Sequence, residues 1–108
     1  WVQLPPQDNE NQTSSYHLFA LRIYNISEIQ RDLMIKKIST EGIGVNVHFI
    51  PMPMLTLFKE NGYKIEDYPV AYDNYSREIS LPIYPQLSNP QVDYIIDKIV
   101  ESYYLVVK

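Results

Sequence analysis

The sequence predicts an α+β domain, in which a small, three-stranded, mainly antiparallel sheet is packed with helices. The chain has 108 residues, which is the size of one domain with a single modest core. Segments with strand alternation and segments with helical spacing follow one another in the order β-α-β-α-α-β-α, and no internal repeat is present. This order favours one layer of helices against one sheet.

Composition excludes several classes of partner. The chain carries 9 basic and 13 acidic residues, for a formal net charge of −4, so no basic patch is available for nucleic acid. It has no cysteine, which excludes disulfides and thiolate metal sites. No apolar run approaches the ~20 residues that span a bilayer. We therefore expect a cytoplasmic domain that binds neither nucleic acid nor membrane.

Residues 5–15 form a polar segment that differs in composition from the rest. The stretch PPQDNENQTSS is poor in helix formers and is typical of a linker. The first residue is Trp1 rather than methionine, which indicates a longer parent. We expect residues 1–15 to be the join to a missing large domain and residues 16–108 to be the folded small domain.

The first regular elements are a strand and a helix. Both alternating sets of residues in Tyr16–Tyr24 are largely apolar, which predicts a central strand covered on both faces. Ser27 and Gln30 have the spacing of a capping box, and the helix that follows extends to Glu41. Its apolar stripe consists of Ile29, Leu33, Met34 and Ile38. Gly42 can adopt positive φ and end this helix.

The stretch from Gly42 to Pro53 predicts the second strand. Its apolar residues Val45, Val47 and Phe49 alternate with Asn46 and His48, so one face is expected to join the core and the other to carry the polar pair. Pro51 and Pro53 cannot donate to a ladder and should end the strand directly after the histidine. A histidine beside a forced bend is a candidate site residue.

The second half of the chain predicts two further helices and an edge strand. MLTLFKENG suits a short helix of about two turns ending at Gly62. Asp67 is a suitable N-cap for a helix over Tyr68–Glu78, with Pro69 in its first turn. Ile79–Pro85 is extended but interrupted by Pro82, which is typical of an edge strand.

The last helix has the strongest pattern in the sequence. Ser88 and Gln91 have capping-box spacing, and Leu87 with Val92 can form a hydrophobic staple. Apolar residues then recur at helical spacing, at Val92, Ile95, Ile96, Ile99, Val100 and Tyr103. This stripe is expected to pack on the sheet.

Motifs alone say little about chemistry. The sequence has no glycine-rich phosphate loop, no HExxH and no nucleophile elbow, and its acidic residues form no dyad. Its only two histidines, His17 and His48, each fall in a strand pattern, where a histidine is more often structural than catalytic. The ten tyrosines indicate either an interface or the rim of a tyrosine-rich core.

Three stretches, in fixed order, resemble the C-terminal small domain of the DegT/DnrJ/EryC1/StrS aminotransferases. They are YHLFALRI, then EGIGVNVHFIPMP, then the run from Gly62 to Ile99 that begins GYKIEDYPVAYDNYSREISLPIYP. The resemblance extends from Tyr16 to Ser102. It implies a pyridoxal-phosphate enzyme of fold type I that transfers an amino group, typically from glutamate, to a keto group of a nucleotide-linked sugar.

The resemblance also implies that the essential groups lie elsewhere. In such enzymes a lysine of the large PLP-binding domain forms the Schiff base with the cofactor, and members are commonly homodimers. The lysines of this chain fall on predicted helix surfaces, a loop or the terminus, and are Lys36, Lys37, Lys59, Lys64, Lys98 and Lys108. We therefore expect no catalytic residue, no bound cofactor and no activity in this chain alone. The alternative is a freestanding interaction module without enzymatic activity.

The resemblance assigns a substrate-side position to the polar pair. The face that carries Asn46 and His48 would be turned toward the large domain and the active-site cleft, so both residues are candidate substrate-binding groups at the cleft rim. The sequence departs from the family at Pro53, two places after Pro51, where members usually show a histidine or similar polar residue. A role for that second histidine therefore does not carry over.

Overall fold

The computed structural model describes residues 1–108 and has a three-stranded antiparallel sheet against two long helices. The elements, in chain order, are β1 (Val2–Gln3), β2 (Phe19–Ile23), α1 (Glu28–Thr40), α2 (Thr56–Glu60), α3 (Pro69–Ser76), β3 (Glu78–Leu81) and α4 (Asn89–Val106). The strand order is β1-β2-β3, so β2 is central. The predicted fold class is confirmed.

Local capping signals placed the two long helices correctly. Ser27 Oγ accepts a hydrogen bond from Gln30 N at 3.3 Å, and Gln30 Oε1 accepts from Ser27 N at 3.0 Å. Gly42 follows α1 with φ of +77°, a conformation that glycine adopts without a steric penalty. At the start of α4, Ser88 N donates to Gln91 Oε1 at 2.9 Å. These signals act over three or four residues, so they are readable from the sequence.

The core lies between one face of the sheet and helices α1 and α4. Four of its side chains have no exposed surface: Ile23, Met34, Ile38 and Ile79. Leu21, Ile43, Ile95, Ile99 and Tyr103 complete the buried cluster. The predicted stripe of α1 is right for Met34 and Ile38 but wrong for Ile29 and Leu33, both of which are exposed. The side chain that α1 buries beside Met34 is instead that of Arg31.

Arg31 of α1 contacts the last turn of α3 and the first residue of β3. Only 1% of the residue is exposed, and its Nη1 donates to the backbone oxygens of Tyr75 and Glu78. Its Nε donates to Asp32 Oδ1 at 2.7 Å, and Glu28 Oε1 lies 3.6 Å from Nη2. The guanidinium carbon lies 4.9 Å from the centre of the Tyr75 ring. One buried cation therefore satisfies two backbone carbonyls that are far from it in sequence.

A second contact joins the same helices. The Tyr72 hydroxyl of α3 donates to Glu28 Oε2 of α1 at 3.0 Å. This hydrogen bond, together with the negative charge of Glu28, raises the pKa of Tyr72, so the hydroxyl stays protonated at neutral pH.

The predicted strand from Gly42 to Pro53 does not form. Its only ladder contact is a bridge between Asn46 and Ser80, and the side chain of Phe49, predicted to be in the core, is 74% exposed. The two prolines that follow remove donors, so no ladder can continue there. Alternation of apolar and polar residues is compatible with a strand but does not supply a pairing partner.

The third strand of the sheet comes instead from the N-terminus. Val2 pairs with Ile23 and Gln3 with Arg22, and the Trp1 ring stacks on Tyr103 with centroids 4.1 Å apart. A strand of two residues is too short for its alternation to be recognised in a sequence.

The polar loop after β1 is irregular, as expected, but it is held together. Asp8 accepts hydrogen bonds from Ser14 N and from the Tyr16 hydroxyl, each at 2.7 Å. These two bonds lower the pKa of Asp8, the backbone bond being the larger cause. The assignment of residues 1–15 as a join to another domain remains a prediction.

The short elements of the second half differ from the prediction in their ends. A single 3₁₀ turn, Met52–Met54, precedes α2, and Gly62 follows α2 with φ of +87°. Asp67 lies in another 3₁₀ turn, so Tyr68 is the N-cap of α3 and makes no side-chain capping bond. The helix ends at Ser76, because Glu78 already belongs to β3. The predicted edge position of this strand is correct.

Helix α4 uses its apolar stripe in two ways. Ile95, Ile99 and Tyr103 are buried in the core, as predicted. Val92 and Ile96 instead line an open groove of about 620 Å³, 13 of whose 14 lining residues are hydrophobic. None of the helices combines the length and hydropathy that crossing a membrane requires.

Candidate functional site

The side of the sheet opposite the core carries polar residues in register. Side chains of directly paired residues project from the same face, so Gln3, Arg22 and Glu78 form one row across all three strands. Ala20 and Ser80 form the adjacent row. We call this surface, together with Asn46 and His48, the polar face.

Glu78 organises this face. Only 3% of Glu78 is exposed. Its carboxylate accepts hydrogen bonds from the backbone N–H of His48 at 3.0 Å and from the hydroxyl of Ser80. A buried carboxylate with two donors is fixed in position, because losing either bond would leave charge buried without compensation. The segment that bears His48 is thereby tied to β3.

The bridge between Asn46 and Ser80 is a second contact that holds the segment bearing His48 against β3. Ser80 N donates to Asn46 O at 2.7 Å, and Asn46 N donates to Ser80 O at 3.2 Å. Since bridged residues project from the same side, Asn46 lies on the polar face, and His48 follows two residues later beside Glu78. The two sequence-predicted site residues are therefore together, although the strand expected to carry them is absent.

The two residues differ in exposure and in hydrogen bonding. Asn46 is exposed, and its Oδ1 accepts from Val47 N at 2.8 Å. His48 is half-buried, its ring lies edge-on to Phe49 with centroids 4.7 Å apart, and its buried Nδ1 has no hydrogen-bond partner. A buried ring nitrogen without a partner departs from the rule that buried polar groups are hydrogen-bonded.

Sequence reasoning missed Arg22, Glu78 and Ser80. The available signal was a charged residue in the middle of the apolar strand FALRI, which period-2 alternation assigns to the face opposite Leu21 and Ile23. Arg22 Nε is buried and has no hydrogen-bond partner. Glu78 belongs to the polar face because of the register between β3 and β2, and this register is a non-local property that the sequence does not show.

The lysines do not suit covalent chemistry with a carbonyl compound. Lys98, the one lysine that is half-buried, forms ion pairs with Glu101 at 2.9 Å and Glu41 at 3.3 Å, and its hydrogen bonds to them, that to Glu101 first, raise its pKa to about 12. The other five are exposed on the surface. A reactive lysine needs a lowered pKa, which desolvation or a neighbouring cation provides.

The apolar groove lined by Val92 and Ile96 lies away from the polar face. It is lined by α4, β1 and the segment after β3, and its lining is almost wholly apolar. It lacks the convergent polar groups that fix a substrate. No group of three or more His, Asp or Glu side chains is arranged to hold a metal ion.

Comparison with known proteins identifies the chain. The model of the DegT/DnrJ/EryC1/StrS aminotransferase family matches residues 2–100. The chain belongs to this aminotransferase family. The match includes β1, which the resemblance seen in the sequence did not cover, and it contains the whole polar face.

Two relatives carry names that refer to the biosynthesis of a polysaccharide or a sugar. The spore coat polysaccharide biosynthesis protein SpsC of Bacillus subtilis is 33% identical over 99 residues, covering 89% of this chain and 25% of that protein. GDP-perosamine synthase of Escherichia coli O157:H7 is 38% identical over 76 residues, covering 70% of this chain and 19% of that protein.

Solved structures agree with the family. The PLP-form of the putative sugar aminotransferase Spr1654 from Streptococcus pneumoniae superposes with a TM-score of 0.94 at 34% identity, over 99% of this chain and 27% of that one. Its PMP-form gives the same TM-score at 35% identity. The chain thus spans about a quarter of the length of the relatives it matches.

Proposed function

We propose that this chain is the C-terminal part of a pyridoxal-phosphate-dependent aminotransferase, in which it caps the active site. The observation that carries the proposal is the TM-score of 0.94 with a putative sugar aminotransferase whose PLP-form and PMP-form are both known. A domain that covers 27% of that enzyme contributes one wall of its site rather than the whole.

The proposed acceptor is a keto sugar linked to a nucleotide, and the proposed amino donor is glutamate. GDP-perosamine synthase, a relative at 38% identity, is named for a nucleotide-linked amino sugar. A polar surface that carries an arginine, a histidine and an asparagine suits a substrate rich in hydroxyl and anionic groups.

The cofactor would be held by residues outside this chain. When bound, pyridoxal phosphate supplies an electron sink for the transfer of the amino group. No lysine here fits the covalent link to it, because Lys98 holds its proton between Glu41 and Glu101 and the other lysines are exposed. What these residues would contribute is the binding and orientation of the substrate.

Exposed apolar side chains support contact with the rest of the polypeptide. The segment between His48 and α2, with α2 itself, exposes several of them, namely Phe49, Ile50, Met52, Leu55 and Leu57. This is more apolar surface than one short segment usually leaves in water. We propose that the large domain of the same polypeptide, or its second copy in a homodimer, covers this segment in the cytoplasm.

Direct assay of the full-length polypeptide tests the proposed function. With glutamate and a nucleotide-linked keto sugar, we expect 2-oxoglutarate and an amino sugar nucleotide to form in equal amounts. A panel of keto sugar nucleotides identifies the acceptor, and unlinked keto sugars are the control. Formation of neither product from any member of the panel would contradict the proposal.

Replacing His48 by alanine should weaken turnover or sugar-nucleotide affinity about five- to thirtyfold, that is by on the order of 1–2 kcal/mol. The reason is that His48 lies on the polar face with a free ring nitrogen and outside the core cluster. His17→Ala, which changes an exposed loop histidine, is the matched control. Full activity with a melting temperature lowered by several degrees would show that His48 is a structural histidine.

A further inference from the structure

Arg22 is the exception among the three arginines of the chain. Arg31 pairs with Glu28 and Asp32, and Arg77 pairs with Asp73 at 2.9 Å. Arg22 takes part in no ion pair and in no side-chain hydrogen bond, although its Nε is buried. The positive charge of Arg22 therefore has no counter-charge within this chain, and its guanidinium can pair with an anion from outside the chain.

The acidic neighbour of Arg22 does not provide that acceptor. Glu78 is its register partner on β3, but the Glu78 carboxylate is engaged by the His48 N–H and the Ser80 hydroxyl. Glu78 instead accepts from the backbone of His48, and it lies between His48 and the arginine. The buried Nδ1 of His48 also lacks a hydrogen-bond partner within the chain.

We propose that Arg22, with His48 on the same face, binds an oxyanion of the substrate. A guanidinium fork matches the two oxygens of a carboxylate or a phosphate, which is the chemistry that an unpaired arginine on a polar face recognises. The anion is either a carboxylate of the amino donor or a phosphate of the nucleotide. The inference rests on the proposed function for the identity of these substrates, but the binding itself requires no turnover.

Glu78 sets the strength of the site. Glu78 is directly paired with Arg22 on the neighbouring strand, and its negative charge opposes an incoming anion. Glu78→Gln keeps an acceptor for the His48 N–H but removes the charge. This variant should therefore bind anions several-fold more tightly than the wild type.

Calorimetric titration of the full-length holoenzyme with two probes tests the proposal. 2-Oxoglutarate represents the carboxylates of the donor, and inorganic pyrophosphate represents the nucleotide. Arg22→Gln should weaken one of them roughly 10- to 100-fold, since a hydrogen bond to a charged group is lost. Lys36→Gln, which removes an exposed cation of α1 that takes part in no ion pair, should change neither.

Loss of 2-oxoglutarate binding alone would assign the site to the donor, and loss of pyrophosphate binding alone would assign it to the nucleotide. Unchanged binding of both probes to Arg22→Gln would overturn the proposal, as would equal losses in Lys36→Gln. If Arg22→Gln does not fold, Arg22→Lys decides: we expect at least fivefold weaker binding, because lysine lacks the fork, and wild-type affinity would overturn the proposal. An enzyme that loses anion binding in these variants but aminates no keto sugar would refute the proposed function and leave the site standing.

Discussion

Replacing Arg31 by glutamine should lower the free energy of unfolding by about 3 kcal/mol. The change leaves the carbonyls of Tyr75 and Glu78 without their buried donor and removes the cation stacked on the Tyr75 ring. Glu28 and Asp32, whose side chains are 28% and 62% exposed, can be solvated, so the loss comes mainly from the carbonyls and the packing. Urea unfolding of the 108-residue chain, followed by the fluorescence of Trp1, measures the change.

Arg77→Gln is the matched control for this measurement. Arg77 pairs with Asp73, whose side chain is 60% exposed, so its ion pair is worth less than about 1 kcal/mol. Arg31→Lys keeps the charge without the planar fork and should fall between the two. If Arg31→Gln cost no more than Arg77→Gln, the buried guanidinium would not be the link between α1 and β3.

Features of the fold that depend on neighbouring residues could be predicted from the sequence. The capping residues Ser27, Gln30 and Ser88 and the glycine at position 42 were all identified correctly. Each of these signals involves groups that contact one another within a few residues. The predicted end of α3 was less accurate. The helical pattern is weak there, and the pairing of Glu78 in β3 ends the helix at Ser76.

Features that depend on strand pairing could not be predicted. The Gly42–Pro53 stretch alternates as a strand does, yet only Asn46 meets β3, while the two-residue β1 completes the sheet. A pairing partner is a property of the whole fold and leaves little trace in either segment. The single bridge was nevertheless enough to place Asn46 on the expected face, because side-chain alternation needs only one fixed position.

The residues of the candidate site also divide into those predicted from neighbouring residues and those known only from the fold. Asn46 and His48 were found because they lie in a distinctive stretch, whereas Glu78 was not, since only its burial and its bonds to His48 and Ser80 reveal it. Arg22 was visible in the sequence as a charge within an apolar strand. Its lack of an ion-pair partner, which gives it significance, is known only from the structure.

The central claim is that this chain is the small domain of an aminotransferase whose cofactor lysine lies elsewhere in the polypeptide. Borohydride reduction of the full-length enzyme with pyridoxal phosphate, followed by peptide mapping of the labelled lysine, tests it most directly. At neutral pH Lys98, whose pKa is raised to about 12 by its hydrogen bonds to Glu101 and Glu41, stays protonated and does not compete for the cofactor, and the other five lysines are exposed. We predict that the label maps outside residues 1–108, and a stable label on any of the six lysines of this chain would contradict the account.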